Sequence, residues 1–202
     1  MRFMLRRKPV MVVACVSLAI LVFAASRFVS FIIWSDRIGD DLARLALADT
    51  RLPVTLTVFG RSVDTVSAQL SFFTADGDPT GTLERSWAGW EIKIDCIMIK
   101  AGTGWLAFPF LLYTDASPRG SGVDLIRYYD RGGFPAIYDS TRLSAVERKA
   151  MRRLFALART ELWMPAFLGS LSHRTIGIRS FEPGVGYSLF VGRDGNLQIK
   201  AN

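Results

Sequence analysis

An α+β domain behind a membrane anchor is the fold class this sequence predicts, and three observations predict it. Residues 9–26 (PVMVVACVSLAILVFAAS) run for eighteen positions without a charge, directly after Arg2, Arg6, Arg7 and Lys8. Between Val54 and Tyr113, short stretches alternate apolar with polar residues and are separated by turn formers, as strands buried on one face do. Over residues 145–164 the period changes to that of one amphipathic helix. Short turns between successive strands favour a single, mostly antiparallel meander sheet, covered by the helix. A closed meander β-barrel with a packed helix is the alternative.

Half of the 202 residues are apolar and 12 % are aromatic, enough for one packed domain beyond the N-terminal segment. The formal charge is +7, but four cations precede residue 9, which leaves +3 for the remainder. The basicity flanks an apolar segment and is not the footprint of a nucleic-acid-binding surface. With Cys15 in the apolar run, Cys96 is the one thiol of the domain, so no internal disulfide staples it.

Eighteen helical residues reach roughly 27 Å, close to the ~30 Å hydrocarbon core of a bilayer. Beyond Arg27 the chain is apolar again through Trp34; arginine snorkels towards headgroups and tryptophan suits the interface. The reading is a retained signal anchor in a bacterial-type cytoplasmic membrane. Residues 1–8 form a cytoplasmic basic tail, 9–34 a transmembrane helix, 35–52 a juxtamembrane amphipathic helix and 53–202 an extracytoplasmic, periplasmic-type domain. Cleavage after Ser26 is the first alternative, since Ala24-Ala25-Ser26 offers small residues. Cleavage would leave RFVSFIIW as an exposed apolar N-terminus. Lipidation at Cys15 is weaker, because the apolar run continues well past it.

In the juxtamembrane segment, Ser35-Asp36 caps a stripe of Leu42, Leu45 and Ala46, and Pro53 ends it. Strands follow at 54–58 and 65–72, joined by a turn at Gly60-Arg61, and then around 83–87. WEIKIDCIMIK (90–100) and WLAFPFLLY (105–113) form the most apolar hairpin, with Pro109 marking a bulge or an edge. Weaker strands are expected at 123–129 and 134–138. Ser144-Ala-Val-Glu147 is a capping box, and it opens a helix with Met151, Leu154, Phe155, Ala158 and Leu162 on one stripe. Strands at 175–181, 187–191 and 197–200 close the chain, the last two joined by Asp194-Gly195.

Chemistry-bearing residues are sparse. His173 is the sole histidine and has no nucleophile elbow around it, so it reads as a loop residue. Cysteine and histidine are too few for a zinc site. Cys96 sits on an apolar strand and reads as an inert thiol. Asp76 to Gly81 imitates the opening of a calcium loop, but Trp87 stands where the bidentate glutamate belongs. No metal, cofactor or nucleotide is expected, and no glycine-rich phosphate loop opens a helix.

Three sets of residues remain as candidates. A polar site would use Asp124, Tyr128, Tyr129, Asp130, Arg131 and Asp139, and acids in 120–139 would serve a hydrolase. An interaction surface would use Trp105, Phe108, Phe110, Leu111 and Tyr113, because their hairpin is apolar on both faces. Arg148, Lys149, Arg152, Arg153 and Arg159 would turn a basic helix face to anionic lipid. The leading expectation is a non-catalytic binding or scaffold protein of the cell envelope, with the membrane and another envelope protein as partners. A lipid- or apolar-ligand-binding barrel is the alternative and a hydrolase the second one.

Overall fold

The computed structural model describes residues 16–18, 21–22, 51–101, 104–117, 119–161 and 171–202. Residues 1–40 and 41–202 form separate units, and the second carries the β domain. Of the expected anchor, residues 16–18 and 21–22 are described; they are helical, with exposed side chains. The rest of 9–34, and residues 35–50, lie outside the described residues, and among those described no helix is long and apolar enough to cross a membrane.

Among the described residues of the second unit, eleven strands and one α-helix follow in the order β1 (Arg51–Arg61), β2 (Thr65–Phe73), β3 (Pro79–Ala88), β4 (Ile92–Ala101), β5 (Gly104–Thr114), β6 (Val123–Asp124), β7 (Asp130–Arg131), β8 (Phe134–Pro135), α1 (Ala145–Glu161), β9 (Leu171–Ile178), β10 (Gly186–Val191) and β11 (Leu197–Ala201). The mostly antiparallel α+β expectation holds, but the single meander and the closed barrel do not. The strands form a five-stranded sheet, β11-β10-β1-β2-β3, a four-stranded sheet, β6-β5-β4-β9, and the small β7-β8 pair. The meander breaks because the last three strands return to earlier partners: β9 pairs with β4 and β10 with β1. Among the described residues no ladder joins the two larger sheets, so they do not close into a barrel.

The sheets separate at a corner between β3 and β4. Gly89 there has φ +112°, and a Cβ on it would meet the Thr114 side chain at 3.0 Å. Only glycine suits both the angle and the approach. The Asp115 carboxylate locks the corner by accepting from the backbone N–H groups of Trp90 (2.7 Å) and Glu91 (3.0 Å). The two bonds hold its pKa below the usual carboxylate range.

Prolines punctuate the ladders. The β1–β10 register shifts between Arg51 and Thr55, around Pro53. The β2–β3 register shifts where Phe73 faces Pro79. The β4–β5 register shifts where Asp95 faces Leu111 but Cys96 faces Pro109, which leaves Phe110 as the extra residue. A proline has no ladder donor, so each break falls where one would be missed. The expected turn at Gly60-Arg61 is instead a register shift within the β1–β2 ladder, and the chain reverses at Ser62–Asp64, closed by the Ser62 N–H donating to the Thr65 carbonyl at 2.8 Å.

The shift at Pro109 decides the core. Antiparallel partners share a face; Leu112 faces Ile94 while Phe108 faces Ile97. Leu112 and Phe108 therefore lie on opposite faces of β5, although simple alternation would put them on one. Phe108 meets Tyr138 and Phe155 of α1, with both ring centroids 5.5 Å away. Tyr129 bridges Phe72 of β2 (5.5 Å) and Phe155 (5.7 Å). The helix keeps its expected cap, since Ser144 N–H donates to Glu147 Oε2 (2.8 Å) and Glu147 N–H to Ser144 Oγ (3.3 Å). Met151, Leu154, Phe155 and Ala158 are its buried stripe.

Past its short ladder with β6, the β5 edge is sealed by side chains. The Tyr138 hydroxyl donates to the Ala107 carbonyl (2.8 Å) and accepts from the Ala107 N–H (3.0 Å). The buried Tyr129 hydroxyl donates to the Pro109 carbonyl at 2.7 Å, and the Leu125 N–H to the Phe110 carbonyl at 2.9 Å. The stretch expected as strands over 123–138 is thus mostly 3-10 turns, at Ile126–Tyr128 and Ala136–Tyr138, with two-residue bridges between. Burial raises the pKa of both tyrosines, by desolvation above all, so they remain neutral donors.

In urea titrations of the detergent-solubilised chain, Tyr138→Phe should cost about 1–3 kcal/mol by orphaning both Ala107 backbone groups. Phe155→Ala should cost about 3–5 kcal/mol through the cavity it opens under β5.

Candidate functional cleft

The domain has two poles, about 33 Å apart along β1. The near pole gathers the start of β1, the β2–β3 turn, the β4–β5 hairpin end and the β10–β11 turn. The registers Val54 to Phe72, Arg51 to Phe190 and Ala101 to Gly104 bring these together. Gly195, with φ +77°, lets the β10–β11 turn sit on Trp105, where a Cβ would approach Trp105 Cε2 to 2.7 Å.

Between the sheets at this pole lies a cleft of about 590 Å³. Leu52 and Val54 of β1, Val191 of β10 and Ile137 supply aliphatic wall, while Phe73, Trp105 and Tyr138 supply aromatic wall. Thr55, Thr74, Ala75 and Gly77 also line it, and Arg51 is the one charged lining residue among the described residues. The Arg51 Nη2 donates to Ser188 Oγ (2.7 Å) and to Asn202 Oδ1 (3.2 Å), both neutral acceptors. Volume and lining fall within the range of small-molecule sites, which are largely apolar with a few fixed polar groups.

The residues expected to form a polar site do not converge on this cleft. Asp124 Oδ1 accepts from the Ile126 N–H (2.9 Å) and shapes the following turn. Asp130 accepts from the Gly133 N–H (2.7 Å) and pairs with Arg159 at 2.7 Å. Asp139 pairs with Arg148 at 2.5 Å. Tyr128 stacks on Phe72 with ring centroids 6.0 Å apart and has the Arg127 guanidinium 5.0 Å from its ring centroid; Tyr129 is core, and Arg131 is exposed. Each acid is thus engaged by a local turn or by the helix. Two of the five expected basic-face residues, Arg148 and Arg159, are those partners, while Lys149, Arg152 and Arg153 stay exposed.

The expected interaction surface is dispersed likewise. Phe108 and Phe110 are buried, Leu111 and Tyr113 half-buried, and Trp105 lines the cleft. Exposed apolar side chains stand instead at the far pole: Phe59 (44 % exposed), Val63 (77 %) and Trp90 (46 %). There the Arg61 guanidinium lies 4.9 Å from the Phe181 ring centroid and 5.7 Å from that of Trp90. The Trp90 Nε1–H donates to the Val63 carbonyl at 2.6 Å.

Sequence reasoning also missed Asp95. It is fully buried, yet it accepts from Thr175 Oγ1 (2.5 Å) of β9 and Tyr113 OH (3.3 Å) of β5, and Arg119 Nε stands 2.6 Å from its other oxygen. One carboxylate thereby clamps three strands and the turn at Arg119–Ser121. A charge within the apolar run IKIDCIMIK was the available signal. Its neighbour Cys96 is buried, and desolvation followed by the Asp95 charge raises its pKa far above that of a free thiol. His173 packs edge-on against Phe110 at 5.4 Å. Among the described residues, no group of three or more acidic, cysteine or histidine side chains is placed to hold a metal.

Arg119→Met should destabilise the domain by about 1–3 kcal/mol, below the cost of breaking a fully buried pair, because the guanidinium is 55 % exposed. Denaturant titration checks this, and an unchanged midpoint would show that Asp95 needs no cation. No protein-family model, no curated protein and no solved structure matches the chain.

Proposed function

We propose that this protein is a non-catalytic binding module held by its N-terminal segment on the outer side of a bacterial-type cytoplasmic membrane, and that the near-pole cleft takes an apolar ligand. The cleft is the observation that carries this reading: about 590 Å³ walled by aliphatic and aromatic groups, with the candidate acids drawn into turns and ion pairs elsewhere. The anchor rests on the charge-free run of residues 9–26 and its basic flank. Lys149, Arg152 and Arg153 add cations suited to anionic headgroups, worth on the order of 1 kcal/mol each near such a surface.

The far pole favours a second role, contact with an envelope protein. Exposed tryptophan, phenylalanine and arginine together are what energetically dominant interface residues are made of, and Trp90, Phe59 and Arg61 meet that description.

The full chain in nanodiscs should bind the neutral dye N-phenyl-1-naphthylamine with a rise in fluorescence above empty nanodiscs. Ala75→Trp, which places an indole at the cleft margin, should weaken binding by about tenfold or more, roughly 1.4 kcal/mol. Unchanged dye affinity in a folded Ala75→Trp variant would contradict the assignment. The anchor is checked separately: the chain should stay with membranes through alkaline carbonate extraction, and an intact mass beginning at Arg27 would show cleavage instead.

A further inference from the structure

Arg51 gives the cleft a chemical preference. Its guanidinium stands at the wall of a largely apolar cavity whose other described lining residues are uncharged. The Nη2 contacts to Ser188 and Asn202 orient the group without neutralising it, because both acceptors are uncharged. Among the described residues, no carboxylate lies within ion-pair distance of it. The Asp76 carboxylate, between the lining residues Ala75 and Gly77, accepts from Ser140 Oγ (2.8 Å) and the Thr141 N–H (2.6 Å). Arginine presents five donors in a rigid fork, so its remaining N–H groups form a ready cradle for a carboxylate or phosphate. Charge-assisted bonds of that kind are the stronger class.

We infer that the cleft holds the alkyl chain of an anionic lipid, with the acidic headgroup on Arg51 and the chain running inward along Val54 and Trp105. This rests on the cleft being the binding site. It adds the class of ligand and the residue that selects it. A neutral apolar ligand would leave the one charged wall group unused.

The test is displacement of N-phenyl-1-naphthylamine from the full chain in zwitterionic nanodiscs, with dodecyl phosphate and dodecanol as competitors and empty nanodiscs as the blank. Dodecyl phosphate should displace the dye at a concentration about tenfold lower than dodecanol does. In Arg51→Gln the two competitors should become equal within about threefold, read as the ratio of their displacement midpoints so that any change in dye affinity cancels. A phosphate preference that survives Arg51→Gln, or one that is absent from the parent chain, overturns the inference while leaving the cleft assignment intact. Dye binding that ignores Ala75→Trp overturns the cleft assignment itself. Should Arg51→Gln lose the dye through disturbed packing, Arg51→Lys decides: it keeps the charge but not the fork, so a reduced phosphate preference should remain, and equal competition there counts against the inference.

Discussion

A strand that contains a proline cannot complete a ladder on both sides. Pro109 lies in β5, in the middle of the most apolar hairpin of the chain. Its carbonyl is taken by the Tyr129 hydroxyl and the flanking Ala107 groups by Tyr138. The edge is therefore finished by side chains from an irregular segment instead of by another long strand. That segment occupies the ground on which a closing strand would have to lie. It also carries Ile137 and Tyr138 into the gap between the sheets, where they become cleft wall. The open architecture and the cavity have one cause.

Local features of the fold were legible in the sequence. Alternation located most of the long strands, the capping box located the helix start, and Asp194-Gly195 located a turn. Faces and partners were not. A single extra residue at Phe110 reverses which side of β5 meets the helix, and no period of two reveals it. The return of β9 to β4 and of β10 to β1 depends on long-range pairing energies that a local pattern does not carry. The stretch 123–138 has the composition of weak strands, but its backbone groups are better satisfied on the β5 edge and in tight turns.

The cleft was less legible than the fold. Trp105 stood out in the sequence, but as part of an exposed hairpin face. Its neighbours in the cleft come from β1, the β2–β3 turn, the segment before α1 and β10, brought together only by topology. Arg51 lay in a stretch read as the end of a juxtamembrane helix, yet it opens β1. The polar-aromatic stretch that drew attention as a catalytic candidate is polar for structural reasons: Asp124, Asp130 and Asp139 fasten turns and hold α1 through Arg148 and Arg159. The domain thus has two distinct ends, a cleft beside the start of β1 and an aromatic, cationic tip about 33 Å away.

The central claim is that an alkyl chain lies inside the near-pole cleft. Nuclear Overhauser effects between the methylenes of dodecyl phosphate and the labelled methyl groups of the full chain in nanodiscs test it most directly. The account predicts cross-peaks to Leu52, Val54, Ile137 and Val191, whose side chains belong to the cleft wall. Cross-peaks confined to Val63 at the far pole, or to the exposed Val146 of α1, would contradict it.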